Sequence, residues 1–402
     1  MTIWFFRILF AIIILIALES YFFISIRKAL KQLPSRLISK TIVIIGIFVN
    51  LFPIALLLWA INSFVAKSNF TLPQSPYIDW LIIYPFWFSL LLIVQSLLFF
   101  IPLDLILPII KMIRKNISGQ KVISKIKIVL MIIFAIYIPL RIIYDYNEVK
   151  ITRLTLKVKN LPEDLNNFRI GFVSDFHVDR YTDSKRVTNY INKLNEEKPD
   201  LVLIGGDFIS RGNKYIKKAS GLLSNIRSTY GVYSCVGDHD YWAYSNKPRK
   251  SLEEITYALA RKGIQVLDNL NITIPIDSSQ ILITAITNTY VKKITQKKLN
   301  AFVDSSLYDF KIFLTHQPRR ILLKAAEKNK YNLYLCGHTH GGQLSFIFPF
   351  TTITPSRFES EFLSGKYYYK KLTIYVCNGL GMSIAPVRYN STPEVAVFKL
   401  VK

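Results

Sequence analysis

Residues 333–342 read Leu-Tyr-Leu-Cys-Gly-His-Thr-His-Gly-Gly. Four apolar residues, the length of a short buried strand, run straight into a glycine and a His-x-His pair. Glycine permits a sharp turn and a close approach to a ligand. Alternate residues of extended chain project to one side, so His338 and His340 can reach a common point. The same pattern recurs upstream as Val173-Ser174-Asp175-Phe176-His177, Gly205-Gly206-Asp207, Gly237-Asp238-His239-Asp240 and Leu314-Thr315-His316. The chain has five histidines, and all of them fall in these loops. One such histidine alone would be read as a satisfied core residue. Five in Asp- or Gly-flanked strand ends point to metal.

Outward from these loops, strand-like apolar runs occur at 168–174, 201–205, 232–236, 281–286, 311–315, 333–336 and 372–376. Polar periodic stretches of helical length lie between several of them, at 184–198, 214–227 and 252–262. Strands alternating with helices predict an α/β domain. Such domains gather their sites in loops at the C-terminal ends of strands. If the five loops converge, they supply four imidazoles and three carboxylates as ligands, with one histidine over. Seven N/O ligands suit two transition-metal ions better than one.

The rest of the chain is of another kind. Its 402 residues carry 51 Lys+Arg against 26 Asp+Glu, yet 51% are hydrophobic and the mean hydropathy is +0.29. Charged and apolar residues must therefore be segregated. Residues 1–150 hold only 15 basic and 5 acidic residues, in short blocks between apolar runs near 3–24, 41–64, 80–110 and 128–144. About 20 apolar residues span a bilayer as helix, so the reading is about four transmembrane helices in 1–148 and a soluble domain in 149–402. Collagenous, coiled-coil, disulfide-scaffold and disordered classes are excluded. The first run lacks a basic n-region and a clear cleavage site, and it reads as an uncleaved anchor. The third, with Asp104 and three prolines, is expected to kink or end near Pro102. Arg7, Glu19 and Asp104 read as snorkelling charges at run ends before they read as a transport path.

Loop charges set the expected orientation. Arg27, Lys28, Lys31, Arg36 and Lys40 follow the first run, and Lys111, Arg114, Lys115, Lys121, Lys125 and Lys127 follow the third. Only Lys67 lies in the intervening loop. Basic loops stay cytoplasmic, so the expectation is a multi-pass protein of the cytoplasmic membrane with both termini outside and the soluble domain extracytoplasmic.

The ordered set Asp-x-His, Gly-Asp, Gly-Asp-His-Asp, His and Gly-His-x-His resembles the calcineurin-like metallophosphoesterase superfamily, over roughly residues 157–402. The tail Asn378-Gly379-Leu380-Gly381, Pro386-Val387-Arg388 and Pro393-Glu394 resembles its membrane-anchored or secreted bacterial phosphohydrolase branch. The resemblance implies two mixed β-sheets in a sandwich flanked by helices. It also implies that Asp175, His177 and His340 bind one metal, and that Asp207 bridges to a second held by Asp238, His316 and His338. His239 would face the phosphate as a catalytic residue, with Asp240 orienting it. The ions would come from Mn2+, Fe2+/Fe3+, Zn2+ or Co2+. Two ions about 3.5–4 Å apart would activate a shared water for in-line attack. The family has Asn where this chain has Asp238, which puts rate and metal preference in doubt more than reaction class.

Arg388 is a candidate for binding substrate phosphate, with a surface ion pair as the alternative. Cys235, Cys336 and Cys377 read as small core residues, since they are odd in number and lack C-x-x-C spacing. The aromatic stretch 346–350, with Arg357, Lys366, Lys370 and Lys371 after it, suits lipid headgroups or a strand and packed loop. No nucleic-acid motif accompanies the excess of basic residues. The combined expectation is a membrane-anchored dinuclear phosphohydrolase of a phosphoester, phosphodiester or pyrophosphate, lipid-linked in view of the anchor. The alternative is a non-enzymatic membrane sensor or transporter with a metal-binding regulatory domain.

Overall fold

The computed structural model describes residues 2–30, 44–65, 75–113, 119–348 and 350–402. They fall into two compact units, Met1–Ile143 and Tyr144–Lys402.

The first unit is helical: α1 (Thr2–Ala29), α2 (Leu51–Val65), α3 (Tyr84–Ile113) and α4 (Gly119–Asn147). Among the described residues, three stretches are long and apolar enough to cross a membrane, Leu9–Ala29, Pro76–Ile106 and Lys121–Asn147. The second apolar run forms a shorter helix, Ile44–Trp59, so the expected four spans are three of spanning length and one below it. Of the two alternatives expected at Pro102, a kink or an end, the end is excluded, because α3 continues past Pro108. Lys121, Lys125 and Lys127, expected in a loop, lie inside α4. Lys31, Arg36, Lys40, Lys67, Arg114 and Lys115 lie outside the described residues.

Apolar side chains such as Phe10, Ile24, Leu105 and Leu140 face outward from these helices. Polar groups turn inward and pair, because an unpaired polar group in an apolar medium costs several kcal/mol, roughly 2–7. The buried Lys127 ammonium donates to Ser25 Oγ at 2.7 Å and to both oxygens of Asp104 at 2.6 and 2.7 Å. Tyr21 donates to the same carboxylate at 2.8 Å. Glu19 is buried and accepts from Asn50 Nδ2 at 2.7 Å. Glu19 and Asp104 thus bind neighbouring helices rather than snorkel.

Among its described residues the second unit has fourteen strands: β1 (Lys150–Lys157), β2 (Arg169–Val173), β3 (Leu201–Ile204), β4 (Val232–Cys235), β5 (Ile264–Leu267), β6 (Leu270–Ile276), β7 (Ser279–Ile286), β8 (Phe310–Thr315), β9 (Leu333–Cys336), β10 (Phe346–Phe348), β11 (Thr351–Ile353), β12 (Gly365–Tyr369), β13 (Leu372–Val376) and β14 (Glu394–Val401). One sheet has the order β1-β14-β2-β3-β4-β5 and the other β12-β13-β9-β8-β7-β6, with β10 and β11 as a separate hairpin. Both sheets are mixed. β2, β3, β4 and β5 run parallel beside an antiparallel β14, and β7, β8, β9 and β13 run parallel between antiparallel β6 and β12.

Central strands such as β3, β4, β8 and β9 are buried along their whole length, which is why they read as unbroken apolar runs rather than alternating ones. Phe172, Leu203, Leu314, Leu335 and Phe398 fill the space between the sheets. Helices α5 (Ser184–Glu196), α6 (Ile216–Leu223) and α7 (Pro248–Ala260) cover the first sheet through Val187, Leu194, Leu223 and Leu259. Helices α8 (Gln296–Phe302) and α9 (Arg320–Lys328) cover the second through Leu299, Leu322 and Ala326. The three cysteines are buried and unbonded at strand ends. Parallel alignment of β2, β3 and β4, and of β8 and β9, sends each set of ligand-bearing loops out at one end.

Replacing Lys127 alone with Met should lower the thermal midpoint in detergent, since it strips Asp104 of its cation at an expense on the order of 3 kcal/mol. The double replacement Lys127→Met with Asp104→Leu should recover most of that loss. A single variant as stable as the parent would show that the pair contributes nothing.

Candidate metal centre

Each ligand-type residue follows a buried strand directly, and the chain turns so sharply there that several take left-handed backbone conformations. Asp175, His177, Asp207, His338 and His340 have φ of 55°, 45°, 59°, 72° and 52°. Such values are uncommon for residues with a Cβ and cluster where function holds the chain. Gly237 is required for another reason: a Cβ there would collide with the Asp207 carboxylate and amide.

The turns bring seven side chains into two adjoining groups. In one, His340 Nε2 lies 3.1 Å from His177 Nε2 and 3.5 Å from Asp175 Oδ1. In the other, His338 Nδ1 lies 3.1 Å from His316 Nε2 and 3.2 Å from Asp238 Oδ2, and His316 Nε2 lies 3.4 Å from the same oxygen. Asp207 Oδ2 stands between them, 3.3 Å from both His177 Nε2 and His316 Nε2. Imidazole nitrogens facing each other amid carboxylate oxygens leave lone pairs aimed at common points, an arrangement that a cation at each point would satisfy.

Surrounding groups fix these orientations. With its proton on Nδ1, His316 donates to the Gly205 carbonyl at 2.7 Å, which leaves Nε2 as the inward lone pair. The Asp207 Oδ1 atom accepts the His239 N–H at 2.7 Å. Asp238 uses both oxygens, Oδ1 accepting the Tyr290 N–H and Oδ2 the Gln317 side-chain amide, each at 2.6 Å. This explains why a carboxylate suits position 238: an asparagine ligating through its one oxygen would turn its NH2 against the Tyr290 N–H.

The charges are unbalanced in favour of cations. Burial and the nearby positive groups push His177 and His340 well below the usual imidazole range, so both are neutral and ligand-ready. Burial works against the charged form at His316 too, but Asp207, Asp175 and Asp238 outweigh it and raise that residue well above the range. At His338 burial is likewise overcome by hydrogen bonds to Asp238 and Glu359, which push it up to about 9. Protons held this firmly mark places where a metal ion can substitute for them.

His239 lies against the first group, and with His177 and Asp207 it forms a further set of ligand-type atoms within 4.8 Å of one another. Its ring lies edge-on to His177 at 4.5 Å and against Trp242 at 4.2 Å. Its Nδ1 is 2.6 Å from the Ser210 carbonyl, which leaves Nε2 for an incoming group.

Two expectations are corrected. Asp240 does not touch the His239 ring. It is fully buried and accepts the backbone N–H groups of Asp207, Phe208 and Gly237 at 3.2, 2.9 and 2.8 Å. It therefore ties the Asp207 loop to the Asp238 loop, and orientation of His239 falls to the Ser210 carbonyl. Burial and the Asp207 charge push the Asp240 carboxyl up to about 7, against the Gly237 and Phe208 N–H groups. Arg388, expected to bind phosphate or to form a surface ion pair, lies inside the domain. It is buried, its donors are taken by the carbonyls of Gly381, Asn378 and Ser391, and Nη2 lies 3.2 Å from His340 Nδ1. Burial holds its guanidinium down at about 10.

Sequence reasoning missed Glu359, Tyr290, Arg319 and Gln317. Glu359 Oε1 lies 3.0 Å from His338 Nε2, receives Arg319 Nη2 at 2.6 Å and is also bonded by the Tyr290 hydroxyl. His338 and this group hold the Glu359 carboxyl down at about 2, against burial. Only Gln317 carried a signal, its place beside His316.

Residues 168–342 match the family described as calcineurin-like phosphoesterase. The uncharacterized metallophosphoesterase YkuE of Bacillus subtilis is 30% identical over 255 residues, covering 63% of this chain and 85% of that protein. Phosphodiesterase YaeI of Escherichia coli is 28% identical, over 58% of this chain and 82% of its own length. A transmembrane protein with metallophosphoesterase domain from Danio rerio is 26% identical over 61% of this chain and 56% of its own. With its paired ligand groups and its mixed-sheet sandwich, the chain belongs to the calcineurin-like metallophosphoesterase family and is a hydrolase of phosphoesters.

Proposed function

We propose that the protein is a membrane-anchored phosphodiesterase in which Asp175, His177 and His340 hold one metal ion, Asp238, His316 and His338 hold a second, and Asp207 bridges them. The observation that carries this reading is the equal 3.3 Å distance from Asp207 Oδ2 to a histidine of each group. Bound there, two divalent ions would supply an activated water and neutralise charge on the phosphoryl oxygens. The protein's own part is positional and acid–base. Asp240 clamps two ligand loops together, the Gly205 carbonyl sets the His316 tautomer, and the Ser210 carbonyl aims His239 Nε2 outward. His239 then hydrogen-bonds a phosphoryl oxygen or protonates the leaving oxygen. The second ligand group has two carboxylates nearby, Asp238 and Glu359, and their negative charge opposes the approach of an anionic substrate.

The substrate is proposed to be a lipid-linked phosphoester. What supports this, besides the apolar helices of the same chain, is the surface beside the ligand loops. The segment following His340 carries Phe350 and Phe358 almost wholly exposed, at 99% and 98%, with Ile347 also outward. Phe358 adjoins Glu359, which touches His338. Fully exposed phenylalanines at a site are suited to acyl chains or to the bilayer interface. The domain is proposed to be extracytoplasmic, a reading that counts the shorter helix Ile44–Trp59 as a fourth crossing and rests on the sequence-level excess of Lys and Arg after the first and third apolar runs.

Three measurements test these statements. The full chain in mild detergent, stripped of metal, should regain hydrolysis of bis-p-nitrophenyl phosphate with Mn2+, and His239→Ala should lose about 100-fold or more. In the same assay Asp238→Asn should lower KM for the anionic diester and raise the Mn2+ needed for half-maximal rate. Silence with every divalent ion, in protein that binds two, would favour a sensor over an enzyme. Phe350→Ser with Phe358→Ser should slow hydrolysis of a micellar phospholipid about tenfold and spare the soluble diester; equal effects on both would remove the lipid assignment. Alkaline phosphatase fused after Lys402 should be active and a green fluorescent fusion dark; the reverse places the domain in the cytosol.

A further inference from the structure

At the end of the sandwich away from the metal loops lies a concave space of about 860 Å³ between the outer strands of the two sheets. Strand β1 begins at Lys150 opposite Glu394, whose carboxylate accepts the N–H of Asn378 near the ligand loops. It ends seven residues later at Lys157, about 23 Å further on at strand rise. The groove gathers Lys157, Lys159, Lys328, Lys330, Lys366 and Lys371, all of them exposed. None of the six forms an ion pair among the described residues. The one acid in the lining, Glu327, is engaged by Lys370 at 3.0 Å.

This concentration exceeds what the domain's composition supplies. Residues 151–402 hold 36 basic and 21 acidic residues, whereas here six lysines meet a single, already paired glutamate. Lysines on exposed edge strands commonly guard against strand-to-strand aggregation. That accounts for Lys157 on β1 and Lys366 on β12, but not for the other four, which come from α9 and from loops. The groove also contains no arginine. A guanidinium reads planar, bidentate partners, whereas an ammonium on a flexible stem acts as a point charge without fixed geometry. A lysine-only groove recognises charge density along a chain rather than the shape of one ligand. Among exposed aromatic rings it offers Tyr368 alone, already under the Lys366 ammonium at 4.8 Å, and successive bases of a nucleic acid would need several such platforms.

We infer that this groove docks a flexible linear phosphate polymer, held by counter-charge at a distance from the metal centre. The inference is independent of the roles proposed for individual ligands and of the lipid assignment. It requires only that the lysines face an anionic chain.

The test is fluorescence anisotropy of labelled inorganic polyphosphate of defined length with the full chain in neutral detergent and chelator. The comparison is the triple variant Lys159→Gln, Lys330→Gln, Lys371→Gln. The parent should bind, and the variant should bind at least about tenfold more weakly, with a log–log salt slope shallower by about 2, near 0.7 for each lost contact. Unchanged hydrolysis of bis-p-nitrophenyl phosphate by the Mn2+-loaded variant would show that it is folded, so that lost binding is specific to the groove. Equal binding by parent and variant would overturn the inference. So would oligothymidylate binding tighter than polyphosphate, which would make the groove a nucleic-acid site. Binding confined to vesicles containing anionic lipid would overturn it equally, by making the groove a membrane-surface patch.

Discussion

Three aspartates, 175, 207 and 238, are buried at the ends of the two sheets, each with an oxygen 3.3–3.9 Å from His316 Nε2, and the need to balance their charge governs the region. Carboxylates removed from water need positive charge close by. Arg388 lies behind His340 and the others are met by imidazoles, two of which are driven towards the protonated form while two are driven away from it. This uneven division identifies the second ligand group as the more electron-rich. The backbone is arranged around the same constraint. Asp240 spends its hydrogen bonds on three N–H groups, so the loops bearing Asp207 and Asp238 cannot separate under repulsion.

The left-handed turns at five of the seven ligands belong to this account. A strand that continued straight would carry its side chains on alternate faces of the sheet, into the core or under the helices. Reversing φ two to four residues after the strand's last residue swings the side chain past the sheet end. The unfavourable backbone conformations are offset by the burial of β3 and β9, and of β2 from Ile170 onward, behind them.

Much of this was legible in residue types. Central strands announced themselves because both faces are buried, and the ligands because histidine is scarce in this chain. Edge strands were less legible: β1 alternates exposed and half-buried residues over Lys150–Lys157, and its partner β14 lies more than 230 residues away, so nothing local marks the pair. The supporting shell was hidden for a different reason. The groups that orient His239 and His316 are the carbonyls of Ser210 and Gly205, which every residue possesses. Glu359 approaches His338 from an irregular segment with no periodicity to place it. Arg388 misled in the opposite direction, since a lone arginine near a motif looks like an anion clamp until its donors are seen to be spent on main-chain carbonyls. In the helical half, hydropathy located the apolar runs but not their ends. Lys127 therefore read as a loop charge although it lies within a helix, bound to Asp104.

All five histidines are committed to one place, which leaves the rest of the molecule without side chains that ordinarily titrate between pH 5 and 8. The protein therefore contains its own reporter set. Selective isotope labelling of imidazole would yield a spectrum with five ring systems and no background from the surface or the helices. Four of those rings belong to the ligand groups and the fifth packs against one of them, so any ion, anion or inhibitor entering the centre would be recorded ring by ring without an engineered probe.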